Sequence, residues 1–199
     1  MHNNILLLFV FSCFLLGCSQ EEVYTTPRPR MYPKVEFPDR SYERVKLEDC
    51  GFSFKKSKAS QMIEKTTFFN EDIEQPCWFN IKYPIWDVTI HYTYYDITAD
   101  DSFEGLVDES FKLAYEHTGM ATGIEEIPLT NEGKPIGMAF DLSGPVASPY
   151  QFFITDSTEH FLRASVYFNT RPNPDSLFPM LSYIKGDLDT MVHSFEWPQ

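Results

Sequence analysis

Apolar and polar residues alternate along several segments of this chain, and a period of two is that of a β-strand with one buried face. In residues 87–95 the apolar positions are Val88, Ile90, Tyr92 and Tyr94, with threonine and histidine between them. The same period predicts further strands at 52–54, 78–83, 124–129, 136–142, 150–155 and 161–168. The last two strands are expected to form a hairpin, because Asp, Ser, Thr and Glu between them are typical turn residues.

Two other segments have the period of an amphipathic helix. In residues 103–118 the apolar side chains recur at i, i+3 and i+4, and Asp101 with Glu104 three residues later has the pattern of a capping box. A second apolar stripe predicts a helix that begins with Ser176 as its N-cap and ends near Ser194.

The order of these elements predicts the fold class. Strands, a helix, more strands and a final helix are typical of an α+β domain with a mostly antiparallel sheet of about six or seven strands and two main helices. The chain has 199 residues, of which 43% are apolar, so residues 47–199 are long enough for one domain with a core. The arrangement is similar to the Mog1/PsbP-like group of folds.

The amino terminus predicts a processed leader and a lipid anchor. Residues 5–16 are an apolar stretch that is short for a membrane span, and Leu15-Leu16-Gly17-Cys18 follows its end. These residues resemble the lipobox of bacterial lipoproteins, which implies removal of a signal peptide at 1–17. The resemblance also implies a diacylglycerol and an N-linked acyl chain, such as palmitate, on Cys18; one chain alone holds a protein weakly. Ser19-Gln20-Glu21-Glu22 resembles a surface-export signal, with a solvated leader as the alternative.

A proline-rich segment follows the leader. Residues 18–46 contain Pro27, Pro29, Pro33 and Pro38, and proline at this density favours an extended backbone. We therefore expect residues 18–46 to be the lipidated cysteine and an extended stalk, although a docking segment for a partner is the alternative.

Charge excludes one class of partner. The net charge is −13, which argues against nucleic-acid binding because phosphate contacts require clustered Lys and Arg. Residues 96–141 hold eleven acids and two bases. This predicts an acidic face that is either solvated or a docking face for a basic partner.

Cys50 and Cys77 remain once Cys13 leaves with the leader and Cys18 is lipidated. In an exported chain two thiols predict one disulfide, with buried free thiols as the alternative. A zinc site would need more Cys or His at close spacing, so no metal site is expected.

Asp156, Ser157, Glu159 and His160 are the most crowded group of reactive side chains. They could bind a divalent cation or form part of a Ser/His/Asp arrangement, but Asp and Ser are also the residues that a hairpin turn uses for local hydrogen bonds. A second candidate is a set of rings that would either stack on sugars or peptides or pack in the core: Trp78, Trp86, Tyr92, Tyr94 and Tyr95.

Several segments together resemble the GldD family of gliding-motility lipoproteins from Bacteroidetes. The matching segments are Pro27-Arg-Pro-Arg-Met-Tyr32, Cys50-Gly-Phe-Ser-Phe54, Cys77-Trp-Phe-Asn-Ile81, Lys112-Leu-Ala-Tyr-Glu-His-Thr118, Gln151-Phe-Phe-Ile-Thr-Asp-Ser-Thr158, His160-Phe-Leu-Arg163, Tyr167-Phe-Asn169 and Pro172-Asn-Pro-Asp-Ser-Leu177. The resemblance implies a non-enzymatic lipoprotein of the cell envelope that assists gliding and type IX secretion. It implies no catalytic residue and no cofactor beyond the lipid on Cys18.

The expected partners are other gliding and secretion proteins of the envelope, with the membrane contacted through the lipid. As candidates for partner contact we take three stalk residues and three turn residues: Arg28, Arg30, Tyr32, Asp156, Glu159 and His160. We expect the outer membrane, facing the periplasm, with surface exposure as the alternative. The other hypotheses are a glycan- or peptidoglycan-binding lipoprotein that uses exposed aromatic rings, and a hydrolase that uses the loop at 156–160.

Overall fold

A computed structural model describes residues 34–47, 50–64, 67–68, 71–72 and 77–197. Its strands are β1 (Tyr42–Lys46), β2 (Ser53–Ser57), β3 (Gln61–Glu64), β4 (Thr67–Phe68), β5 (Glu71–Asp72), β6 (Phe79–Tyr83), β7 (Val88–Asp96), β8 (Gly123–Asn131), β9 (Lys134–Ser143), β10 (Tyr150–Thr155) and β11 (His160–Phe168). Its helices are α1 (Phe103–Tyr115), which continues as a 3-10 turn at Glu116–Gly119, and α2 (Pro174–His193).

Seven strands form one antiparallel sheet in the order β3-β6-β7-β11-β10-β9-β8. Two strand pairs lie outside this sheet, β1 with β2 and β4 with β5. The predicted α+β class, with a seven-stranded antiparallel sheet and two main helices, is confirmed.

The two faces of the sheet pack in separate clusters, as the alternating sequence requires. On one face Ile90, Tyr92, Leu162 and other residues pack against α2 and against β2. On the other face Phe140, Phe153 and Phe161 pack against α1.

The N-cap of each helix is a different residue from the one predicted. The N-cap of α1 is Ser102, whose hydroxyl accepts from the amide of Gly105, and not Asp101. The helix α2 begins earlier, with Asn173 as its N-cap, because Pro174 fits the first turn, where an amide has no helical partner.

The structure also differs from the predicted stalk in its last part. Residues 42–46 of the expected 18–46 stalk form β1, which pairs with β2 in the register Val45 to Phe54. Residues 34–41 precede it, and Phe37 stacks on Tyr183 of α2 with ring centroids 5.4 Å apart. We call residues 34–46 the N-terminal strap. It lies on the domain because its few apolar and aromatic side chains find partners there.

The sheet gives the domain two distinct ends. The strap end contains the connections at 84–87, 116–122, 144–149 and 169–173, and Phe37 of the strap lies there, 5.3 Å from the ring of Trp86. The acidic end contains the connections at 97–102, 132–133 and 156–159. The nine residues of β7 run from one end to the other, a span of about 27 Å.

Candidate functional site

The acidic end is organised by Asp156. One oxygen of its side chain, Oδ1, accepts hydrogen bonds of 2.9 Å from the amides of Thr158, Glu159 and His160. Partial burial acts to raise the pKa of the Asp156 carboxyl, but these amide hydrogen bonds outweigh it, and the pKa lies below its ordinary value. The carboxylate therefore fixes the hairpin turn, which is the local role that its residue type favours.

His160 connects this turn to the body of the sheet. Its Nδ1 lies 2.6 Å from the hydroxyl of Tyr94, and that hydroxyl donates to Oδ1 of Asp96 at 2.7 Å. Because the tyrosine proton is used toward Asp96, Nδ1 of His160 must donate to the tyrosine oxygen. Its Nε2 lies 4.0 Å from Oδ2 of Asp156 and 3.9 Å from Oε2 of Glu159.

This geometry fits neither of the two chemical alternatives for the turn. The nitrogens of His160 face Tyr94 and two carboxylates, whereas Ser157 has a left-handed backbone with φ of 66° and its amide donates to Thr155. Ser157 and His160 therefore do not form a nucleophile–base pair. Among the described residues, no group of three or more His, Cys, Asp or Glu is placed to hold a metal ion.

A C-terminal aromatic segment packs beside this turn. The ring of Trp197 stacks on His160 with centroids 5.3 Å apart, and Phe195 contacts both Trp197 and Phe52. Sequence reasoning missed this contact, although Phe195 and Trp197 alternate with Glu196 as in a short strand. Backbone hydrogen bonds between Ser53 and Glu196 show the strand-like pairing.

Cys50 and Cys77 are joined in a disulfide, the pairing that the sequence suggested, with Cα atoms 5.7 Å apart. The bond connects the segment before β2 to the segment before β6, and Cys77 is buried. It therefore ties the β1–β2 pair to the main sheet.

A buried carboxylate that sequence reasoning missed holds the strap. The side chain of Asp187, in α2, is 2% exposed and accepts from Arg40 at 2.6 Å and from the hydroxyls of Tyr42 and Tyr83 at 2.9 Å each. Burial, followed by the nearby Asp187 carboxylate, raises the pKa of Tyr83. The available signal was the position of Asp187 beside Leu188 on the apolar face of the predicted helix.

Of the two alternatives for the five rings, packing and not an exposed platform is observed. Tyr92 and Tyr94 are buried in the core, and Trp86 packs on Tyr183 and on Phe37 of the strap. Trp78 instead contacts Tyr95. The five rings therefore do not line one exposed surface, and the glycan hypothesis loses the surface on which it was based.

Four predicted site residues lie outside the described residues, namely Cys18, Arg28, Arg30 and Tyr32. Within the part of the chain that the structure describes, none of the helices has the length and apolar character to cross a membrane.

Comparison with known proteins gives two matches. The solution structure of cyanobacterial PsbP (CyanoP) from Synechocystis sp. PCC 6803 is similar at 10% identity and a TM-score of 0.46, covering 83% of this chain and 97% of that one. No match was found among curated proteins. The sequence profile described as "Gliding motility lipoprotein GldD" matches residues 21–197. The chain therefore belongs to the GldD family of gliding motility lipoproteins.

Proposed function

We propose that this protein is a non-enzymatic accessory of the gliding and type IX secretion machinery and that it acts by contacts with other envelope proteins. The family match supports this most directly, because it begins three residues after Cys18 and continues through the folded domain to residue 197. The segment after the predicted cleavage site and the domain are therefore recognised together.

The anchor in this proposal is the lipid on Cys18, with residues 19–33 as the tether to the strap. Two or more acyl chains give a stable anchor, whereas one gives marginal binding. We place the protein in the outer membrane with its domain in the periplasm.

The acidic end is the side that we assign to the partner. The Glu159 side chain is 80% exposed, and Asp156 holds the backbone of the turn beneath it in one conformation. A preformed turn loses little conformational entropy when a partner binds. The exposed acids favour a partner whose contact surface carries Lys or Arg.

In-cell photo-crosslinking tests this assignment. A photoreactive residue at position 159 is expected to capture an envelope protein, identified by mass spectrometry. The same residue at Lys58, which is exposed between β2 and β3, is the control and is expected not to capture it. Capture from position 58 but not from position 159 would contradict the proposed side of contact.

The absence of catalysis has its own test. His160→Ala removes the only imidazole at the turn between β10 and β11. If gliding and secretion were abolished while the melting temperature and the crosslink from position 159 stayed unchanged, a catalytic role for His160 would be indicated. We expect instead that any loss of function follows loss of the crosslink.

A further inference from the structure

Four large apolar side chains are exposed at the strap end of the domain, and we call them together the apolar patch. Phe37 is 42% exposed, Ile85 59%, Met120 61% and Phe178 66%. Phe37 contacts Trp86, the neighbour of Ile85 in the 84–87 turn. Met120 lies in the connection between α1 and β8, and Phe178 lies in the first turns of α2.

These residues lie at the same end of the sheet in two groups: Phe37 and Ile85 at the β6–β7 turn, and Met120 and Phe178 near the 144–149 loop. Thr122 donates to the backbone oxygen of Ser143, which places the Met120 connection beside the 144–149 loop. Phe178 lines a cleft of about 190 Å³ together with Gly144 and Val146 of that loop. Single exposed apolar residues are ordinary on a protein surface, but a group at one end indicates contact with an apolar partner.

Packing contacts hold the Phe37 side of the patch in place. The ring of Phe37 stacks on Tyr183, and Trp86 contacts Tyr83 and Tyr183 with centroids 6.0 and 5.1 Å apart. Arg40 fixes the strap to Asp187 only three residues after Phe37. These contacts keep Phe37 in place while more than a third of its surface stays in water.

The two ends differ in charge. The connections at the acidic end contain five acids and no Lys or Arg: Asp100, Asp101, Glu132, Asp156 and Glu159. Those at the strap end, together with strap residues 34–41, contain four acids and three bases: Glu36, Asp39, Asp87, Glu116, Lys34, Arg40 and Arg171. An anionic bilayer therefore repels the acidic end more strongly than the strap end.

The length of chain between Cys18 and the first described residue, Lys34, limits how far the patch can lie from the bilayer. Fifteen residues, 19–33, separate the lipidated cysteine from Lys34, and even when extended they span about 45–50 Å. The described chain begins at the strap end, three residues before Phe37. A short tether holds the patch at a high local concentration relative to the bilayer, so weak apolar contacts suffice to dock it.

We propose that Phe37, Ile85, Met120 and Phe178 insert into the interfacial region of the bilayer that holds the Cys18 lipid. Aromatic and aliphatic side chains enter this region favourably, and Trp86 lies at its polar boundary. The acidic end then points away from the membrane, toward the partner. The inference rests on the proposed lipid anchor and adds a defined orientation of the domain to it.

The test uses the full mature protein in phosphatidylethanolamine–phosphatidylcholine vesicles with brominated acyl chains, after mass spectrometry has established acylation of Cys18. Bromine quenches tryptophan fluorescence only at short range. We expect quenching in the wild type, its loss in Trp86→Phe, and at least a twofold decrease in Ile85→Glu and in Phe178→Glu.

Ile63→Glu is the matched control, because Ile63 is 45% exposed on the edge strand β3 and not at the strap end. It is expected to leave quenching unchanged, and a thermal melt verifies that each variant is folded. Absence of quenching in an acylated wild-type protein would overturn the inference while leaving the anchor intact. A bare Cys18 would instead contradict the anchor. If Ile85→Glu converted a dimer to a monomer without altering quenching, the patch would be an interface between copies, which also overturns the inference.

Discussion

Removal of the Arg40 side chain tests how the strap is held. Arg40 donates to the buried Asp187 carboxylate at 2.6 Å and to the backbone oxygen of Tyr183 at 3.1 Å. In Arg40→Ala the carboxylate keeps the hydroxyls of Tyr42 and Tyr83 but loses its cation. We expect a lower free energy of unfolding and earlier exchange of the β1 amides with solvent.

The magnitude follows from the burial of the two partners. Hydrogen bonds to charged groups contribute about 1.5–3 kcal/mol, and loss of one partner of a fully buried pair costs about 3–5 kcal/mol. The Arg40 side chain is 41% exposed while that of Asp187 is 2% exposed, so solvent screens one side of the pair only. The loss should therefore be about 2 kcal/mol, below the fully buried limit.

Arg44 supplies a control of the same residue type and the same exposure. Its side chain is also 41% exposed, but its partner Glu196, at 2.9 Å, is 67% exposed. Arg44→Ala should cost less than about 1 kcal/mol, as exposed pairs do. In urea unfolding with a slope of about 2 kcal/mol per molar, Arg40→Ala should move the midpoint by about 1 M. Equal losses in the two variants would show that burial of Asp187 does not set the strength of the Arg40 pair.

Three further changes test the fold. Replacement of Cys50 and Cys77 by alanine should lower the free energy of unfolding by about 3–4 kcal/mol, the chain-entropy value for their separation of 27 residues. Reductant should abolish this difference in stability between the wild type and the variant, and a difference that persists in reductant would contradict the prediction. Because the pKa of Asp156 is depressed in the folded state, the native protein binds fewer protons there, so its contribution is present at neutral pH and is lost as pH falls through the folded pKa. Asp156→Asn keeps an oxygen acceptor but cannot ionise, so it should flatten the dependence of the unfolding free energy on pH below about pH 5. Parallel pH profiles for the wild type and the variant would exclude a stabilising role for the ionised Asp156. Gly137→Ala should lower the free energy of unfolding by about 3 kcal/mol or more, because a Cβ there would lie 1.9 Å from a backbone oxygen of β10. The control is Gly123→Ala, where a Cβ has nothing within 4 Å and the free energy should change little. Similar melting temperatures for the two variants would contradict the geometry.

Local periodicity predicted most of the sheet, because a strand with one buried face has alternating apolar and polar residues. The predicted strand at 87–95 corresponds to β7, and the hairpin at 150–168 corresponds to β10 and β11. The strand β1 has no such pattern, since Val45 is its only aliphatic residue, and its place depends on pairing with β2. A strand that is held by pairing with its neighbour, and not by an apolar face of its own, leaves no periodic signal in the sequence.

The candidate site was predictable only in part for a related reason. The role of Asp156 in the turn depends only on residues within five positions of it, so it could be predicted from the sequence. The stacking of Trp197 on His160 joins residues far apart in the chain. The Asp187 cluster likewise depends on Arg40, which is 147 residues away. The position of Asp187 on the apolar face of α2 could indicate burial, but its partners Arg40 and Tyr42 are visible only in the tertiary structure.

Mass spectrometry of the protein isolated from its native envelope is the decisive experiment for the lipid anchor. We expect a mature chain that begins at Cys18, with a diacylglycerol on the thiol and an acyl chain on the amino group. A chain that retains residues 1–17, or one with a bare thiol at Cys18, would contradict the lipid anchor on which the proposed function and the proposed orientation both depend.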